Sequence, residues 1–430
     1  MAKNATNKVS VWQSLRNAWK VKDIRSKLIY TFIMLVLFRL VSVIPAPGVD
    51  IARLNEAGMK DLPLLQLMNM MTGNAFSQLT IMAMGVSPYI NSSIIMQLLT
   101  IAIPALERMQ KSGPDGQKKI AQITRYVTVV LAVIQAIGLV SSVGFIKPGW
   151  YNYVLVGASM AAGTALAMWM GERITEKGIG NGISLLIFVG IVVNLFSGYS
   201  NLLLTAIQNP TFGNWLKFVG VLLLALVMIL IVTFIDMGVR RINVNYAKRV
   251  SGRKMYGGQS SIIPLKVVSV GVLPLIFAYS FMAFPGTIIQ LASKPTSGLY
   301  QWWMNNMSAT SPLYMIVCAL LIIAFTYFYS SISFQPDEMA KNIQQQGGAI
   351  PSVRPGKPTA DYLKRINNRL ILFAALFLAV LATLPNIITE AAQVQIPFAA
   401  SSLLIAVSVA LETKRQLDDM LVARNYDTLS

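Results

Sequence analysis

Ten stretches of mostly apolar residues recur along the chain, each bounded by polar or charged residues, at roughly 24–44, 86–104, 123–143, 154–171, 183–196, 215–235, 267–291, 313–334, 370–384 and 397–411. A helix needs about 20 such residues to cross a bilayer, so the pattern predicts ten transmembrane helices. Several stretches are short for that task, which predicts tilt, irregular ends or burial against neighbours. A further run, LPLLQLMNMMTGNAFSQLTIMAMG, lies directly before the second stretch. Gln66, Asn69, Thr72, Asn74 and Gln78 make it too polar to cross alone, while its Leu and Met residues are too apolar for a solvated loop. It reads as a re-entrant segment, and irregular backbone at membrane depth persists only where protein or a water-filled cavity surrounds it.

The polar connections differ in character. At the N-terminus Trp12, Leu15 and Trp19 recur at helical spacing among Arg16, Lys20, Lys22, Arg25 and Lys27, with no cleavable signal pattern. That is an amphipathic helix on the inner leaflet, or a basic flank that only orients the first span. The connection 236–265 is a hairpin-like run, with β-branched and Tyr residues around a turn at Ser251–Gly252 that presents Arg253 and Lys254. The connection 335–369 carries a second basic tip, SVRPGKPTADYLKR, centred on Arg354. Two such prongs fit docking to an acidic surface, such as RNA phosphates or a motor protein, although orientation bias alone also calls for these charges. Gly178–Gly182 lacks a G-x-G-x-x-G spacing and a preceding strand, and reads as a tight turn into the fifth span.

Composition sharpens this picture. Only 12% of the 430 residues are charged, about half the share in soluble domains, as expected of an integral membrane protein. There is no His and one Cys, Cys318, which removes imidazole catalysis, His-ligated metals, internal disulfides and thiolate cages. No phosphate-loop motif occurs, so any mechanical work must be powered by a partner. Lys and Arg number seven, four, two, six, six and three in the N-tail, alternate connections and C-tail, 28 together, against Arg53, Lys60, Lys147, Lys294 and Lys217 on the other side. Both termini are therefore expected in the cytoplasm of a multi-pass membrane protein. The spans hold almost no acids, and Arg39 is the one deep charge, which argues against ion-coupled transport. Val86, Ile90 and Ile94 form one stripe, and Ile183, Ile187 and Ile191 another. Each is a lipid-facing or core stripe, or the greasy constriction of a wet pore.

Seven phrases, in order along nearly the whole chain, carry a family resemblance: FRLVSVIPAPGVD at 38–50, AMGVSPYINSSIIMQLL at 83–99, KIAQITRY at 119–126, GERITEKGIGNGIS at 171–184, RRINVNYAKRVSGRKMYGGQS at 240–260, IPLKV at 263–267 and VRPGKPTADYL at 353–363. On a ten-span frame they resemble the SecY family, the pore subunits of the bacterial Sec protein-translocation channel. The resemblance implies an all-α protein of ten transmembrane helices in two pseudo-twofold five-helix halves. Residues 24–197 and 198–411 would form the halves, 1–23 an amphipathic segment, and 412–430 a cytoplasmic tail. A re-entrant plug would lie at about 62–85.

The resemblance further implies a pore ring of Val86, Ile90, Ile183, Ile187, Ile276 and Ile405, and a lateral gate touched by Ile94, Gln97, Thr124 and Val268. It implies docking of the SecA ATPase or the ribosome on Arg240, Arg241, Lys248, Arg249, Arg253, Lys254, Arg354 and Lys357. SecE and SecG would be partner subunits, with preprotein signal sequences and membrane lipids as further partners. No cofactor, metal or catalytic residue is implied. The chain departs from the family pattern at Ser260–Ile262, at Val268 where a polar Asn is expected, and at Ala399–Ser402, which touches the gate and leaves an accessory paralogue with narrower clients as an alternative. A secondary transporter of a small solute is the rival from another class.

Overall fold

A computed structural model of the chain describes residues 16–427 except 17, 51–71, 74, 76–77, 144–145, 147–148, 247–248, 252–253, 257–259, 269–270, 272, 293–297, 308–310 and 393–399. Each of the ten apolar stretches is found on a helix: α1 (Lys22–Val41), α2 (Ser87–Ala102), α4 (Pro114–Val143), α5 (Trp150–Lys177), α6 (Gly182–Gln208), α7 (Phe212–Asp236), α8 (Leu273–Ala292), α10 (Pro312–Ser333), α12 (Lys357–Ala392) and α13 (Ala400–Asp427). Shorter helices are α3 (Pro104–Lys111), α9 (Gly298–Asn306) and α11 (Pro336–Gln345). Among the described residues, six helices are long and apolar enough to cross a membrane, and the bent pair α2 and α3 makes a seventh. The short apolar stretches sit on longer helices, because polar flanks such as Lys357–Arg369 continue the helix beyond the apolar core.

The chain forms two compact units, one of residues 1–214, 283–304 and 405–430, the other of residues 215–282 and 305–404. In the first unit α5 is the most buried helix, because Gly157, Ala161, Gly163, Ala167 and Gly171 let neighbours come close. A methyl on Gly163 would lie 2.0 Å from the Ile81 carbonyl oxygen, and one on Gly171 would lie 2.7 Å from the Ile183 side chain. α2 stops where Ile103, extended at φ −109°, precedes Pro104. A residue before proline is pushed out of the helical region, and the axis bends by 102° into α3. Lys111 sits 2.7 Å from Glu107 on α3 and holds that carboxyl below its ordinary range.

In the second unit α10 and α12 pack along each other, with Asn367 donating to Ser330 Oγ at 3.3 Å in their buried seam. Phe277 on α8 meets Phe325 and Tyr329 of α10 edge-on. Beyond the helices stands a three-stranded sheet in the order β4–β1–β5, with β1 Val239–Tyr246, β4 Ser260–Lys266 and β5 Gly348–Ala349. β1 and β4 are antiparallel, Arg240 facing Leu265 and Asn243 facing Ile262. A second antiparallel pair, β2 Arg249–Ser251 and β3 Lys254–Tyr256, closes the hairpin. The hairpin read in 236–265 is therefore present, and it adds a small β element to an otherwise helical fold.

α7 leaves Leu223, Leu230 and Phe234 exposed, and α1 leaves Phe32 and Leu40 exposed. A soluble surface rarely carries such contiguous apolar faces; these are the faces a bilayer covers.

Candidate functional site

Two helix starts in the first unit carry the candidate ring. Val86 is the N-cap of α2 and buried, and Ile90, one turn on, is buried as well. Ile183 is the second residue of α6 and half-buried, while Ile187 and Ile191 are buried. Residues four apart share one helix face, so the α2 stripe faces protein at Val86 and Ile90 and the α6 stripe at Ile187 and Ile191, and lipid is not what these four meet. Ile405 is buried on α13 in the same unit. Ile276 is half-buried on α8 in the second unit.

The start of α6 is fixed by a turn at 178–182. Gly180, at φ +86°, supplies a left-handed conformation that a side chain would resist. Asn181 caps α6 by accepting from Ile183 N–H at 3.1 Å and Ser184 N–H at 3.2 Å. The other amides of the turn reach three helices: Ile179 N–H donates to Thr31 Oγ1 of α1 at 3.0 Å, Gly180 N–H to Gln416 Oε1 of α13 at 2.9 Å, and Gly182 N–H to Thr175 Oγ1 of α5 at 2.9 Å. Ala18, Ile24, Ile179 and Leu417 form a small apolar core beneath it. Among the described residues of the N-terminal segment, Ala18 is buried and Trp19 is exposed; Trp12 and Leu15 lie outside the described residues. The turn predicted here is present, and its ties to α1 and α13 are non-local.

The run read as re-entrant is described at 72–73, 75 and 78–85; residues 62–71, 74 and 76–77 lie outside the described residues. Its backbone is irregular, and Thr72, Ala75, Leu79, Met82, Ala83 and Met84 are buried. Ala46 N–H donates to Leu79 O and Ile81 N–H to Ile44 O, both at 3.0 Å, so the chain leaving α1 pairs with the run. Gly163 of α5 admits the Ile81 carbonyl, and Gly73 lies against Gly190 of α6. The described residues of the segment, Gln78 apart, are thus packed against protein, the surroundings that a non-helical backbone needs where water is excluded.

Among the gate candidates, Ile94 and Gln97 are half-buried on α2, and Thr124 is buried on the adjacent α4, donating to Ile120 O at 2.9 Å. Next to Thr124 on α4, Arg125 Nε pairs with Glu172 of α5 at 2.7 Å. Val268 is buried in the second unit, but it is not helical. The stretch predicted from Val267 begins as a helix only at Leu273, because Gly271 at φ +63° makes a turn back to Val268 and Pro274 suits the first helical turn.

The basic loops share one small domain. Ile242 and Val244 of β1, Leu265 of β4, Ile343 of α11, Ile350 just after β5, and Leu363 of α12 form a single buried cluster. β5 pairs with the end of β1, Asn245 facing Ala349. Sequence reasoning found two prongs but missed this pairing, since a two-residue strand around Gly348 carries no periodic signal. Arg240, Arg241, Arg354 and Lys357 are exposed on it. Arg249 and Lys254 stand on β2 and β3, and Lys248 and Arg253 lie outside the described residues. The Arg354 loop is held by Thr359 Oγ1 donating to the Arg354 carbonyl at 2.8 Å.

The SecY family model matches residues 80–414. The chain is 41% identical to the protein translocase subunit SecY of Corynebacterium glutamicum, over 96% of this chain and 98% of that one. It is also 41% identical to the subunit of the same name from Halalkalibacterium halodurans, over 97% and 99%. Among solved structures it is similar to a protein-conducting channel, with a TM-score of 0.69, 22% identity and 92% of each chain covered. It is likewise similar to Sec61 in the canine ribosome-channel complex of the endoplasmic reticulum, with a TM-score of 0.66 and 20% identity over 92% of each chain.

Proposed function

This chain belongs to the SecY family, the membrane-embedded, non-catalytic channel subunits of the Sec translocase, and from that premise we propose how its residues divide the work. Val86, Ile90, Ile183, Ile187, Ile276 and Ile405 form the constriction, the segment ending at Gly85 is the plug that blocks it at rest, and the gate lies at Ile94, Gln97, Thr124 and Val268. Both termini and the basic loops face the cytoplasm. The observation that carries this reading is the irregular backbone at 72–73, 75 and 78–85, packed against α5 and α6, the second of which bears two of the five candidate ring residues of the first unit.

The physical logic follows from the cost of bare backbone in hydrocarbon. Each unpaired N–H or C=O costs several kcal/mol there, so an unfolded preprotein needs a wet path with a thin apolar seal. Branched aliphatic side chains provide a seal that yields to a threading chain and closes behind it. A signal segment leaving sideways gains about 0.3–0.6 kcal/mol per Leu-like residue, so a ten-residue core gains roughly 3–6 kcal/mol. That magnitude is enough to bias a two-state gate.

The energy comes from partners. Arg240, Arg241, Lys248, Arg249, Arg253, Lys254, Arg354 and Lys357 would dock SecA or the ribosome, with SecE and SecG completing the channel and membrane lipids and signal sequences as further contacts. The two halves, 24–197 and 198–411, would hinge to open the gate. The test is reconstitution of the chain with SecE, SecG and SecA in proteoliposomes, with ATP-dependent protease protection of a signal-bearing preprotein as the readout. Protection of a general secretory substrate supports the reading. Protection confined to a few clients favours the accessory paralogue, and none at all contradicts it.

A further inference from the structure

Arg39 is the deep cation that the channel reading leaves unused. It stands in the last turn of α1, where a helix C-terminus favours positive charge, and from there a long side chain could reach headgroups. Its guanidinium turns inward instead and donates from Nη1 to the Gly73 carbonyl at 2.8 Å, across 34 residues of chain. Gly73 is suited to receive it. At φ +66° it holds a conformation most side chains resist, and a methyl there would sit 3.1 Å from Arg39 Nη1 and 3.1 Å from Gly190 Cα of α6.

Among the described residues, two ties from the segment to α1 and the chain that follows it differ in kind. At 79–81 backbone bonds join it to residues 44–46, and Pro45 bridges Thr80. At Gly73 the tie is a side chain on the last turn of α1. A backbone ladder persists through a local movement, whereas a single charged side chain can let go and re-form. We infer that Arg39 is a positioning residue: by holding the Gly73 carbonyl it latches the plug against α6 in the resting channel. This rests on the plug reading above.

The test uses the full chain with its partner subunits in proteoliposomes, carrying Ala75→Cys. Ala75, two residues beyond Gly73, is buried, and the native Cys318, buried in α10, reports in the same molecule whether the fold is intact. Labelling of position 75 by an impermeant maleimide is followed at rest and with a jammed preprotein, alongside resting halide leak. The parent should label slowly at rest and fast when jammed.

Arg39→Gln should label on the order of 10- to 100-fold faster at rest, the span expected for loss of a hydrogen bond from a charged group, and leak more. Arg39→Lys should fall between the two. Gly73→Ala, which displaces the carbonyl while leaving Arg39 in place, should reproduce the effect, and the double variant should add nothing. If Arg39→Gln also exposes Cys318, Gly73→Ala and Arg39→Lys carry the test. Resting labelling unchanged in both Arg39→Gln and Gly73→Ala overturns the latch while leaving the plug standing. A parent that labels alike with and without a jammed chain overturns the plug reading, and the latch with it.

Discussion

The close approach of α5 and α6 turns a packing detail into a test of how the candidate ring is held. A methyl added at Gly182 would lie 1.9 Å from the Gly171 carbonyl oxygen and 2.7 Å from Ile174 Cβ. Ordinary contact begins near 3.4 Å, so Gly182→Ala requires the two helices to part by about 1.5 Å, and the obstructing atom is backbone rather than a flexible side-chain end. Overpacking of this kind costs about 1–3 kcal/mol. The upper half of that range is expected, since the Gly182 N–H bond to Thr175 would be stretched as well. Ile183 and Ile187 follow within five residues, so the ring would shift with the helix start.

The matched control is Gly220→Ala. Gly220 lies inside α7 with nothing within 4 Å of its added methyl, so the same chemical change should be neutral or stabilise by up to about 1 kcal/mol. Thermal unfolding of the purified complex reads the stability, and resting halide leak in proteoliposomes reads the seal. Gly182→Ala should lower the first and raise the second, and Gly220→Ala should do neither. Equal behaviour of the two variants would refute the claim that the backbone approach at 171–182 sets the position of the ring.

Three other expectations concern single interactions. Gln416→Ala strands the N–H of the buried Gly180, which should cost about 1–3 kcal/mol and speed limited proteolysis within 411–427; unaltered cleavage would show that the turn does not hold the C-terminal helix. The Arg125–Glu172 pair is partly exposed, so its coupling energy in a double-mutant cycle should stay below about 1 kcal/mol and shrink in salt; a larger, salt-independent coupling would mean it is buried by a partner. Arg354→Gln with Lys357→Gln should weaken ribosome binding and lower the slope of log affinity against log salt by about 1 for each phosphate no longer neutralised, whereas unchanged affinity would place docking elsewhere.

What the sequence made legible follows the length scale of each signal. Long apolar stretches located the ten longest helices, since burial or lipid exposure of every turn leaves a continuous record in composition. The hairpin within 236–265 and the Gly178–Gly182 turn were also readable, because turn chemistry is local. The start of α8 was not, because Val267 and Val268 are apolar enough to extend the seventh stretch, and the Gly271 turn decides the boundary. The shared core of the two basic loops was equally hidden. Its members Val244, Ile343, Ile350 and Leu363 are far apart in sequence, and β5 is too short to announce itself. Arg39 was visible as an anomaly, but its partner is a backbone carbonyl, which no side-chain pattern records.

The central claim is that preproteins thread past the ring. A photo-crosslinking residue at Ile187 and, separately, at Ile405, with a signal-bearing preprotein jammed in membranes containing the chain, SecE and SecA, tests it most directly. The account predicts adducts at both positions that require ATP. Adducts absent from both, while probes at Arg354 still capture SecA, would contradict it and leave docking without passage.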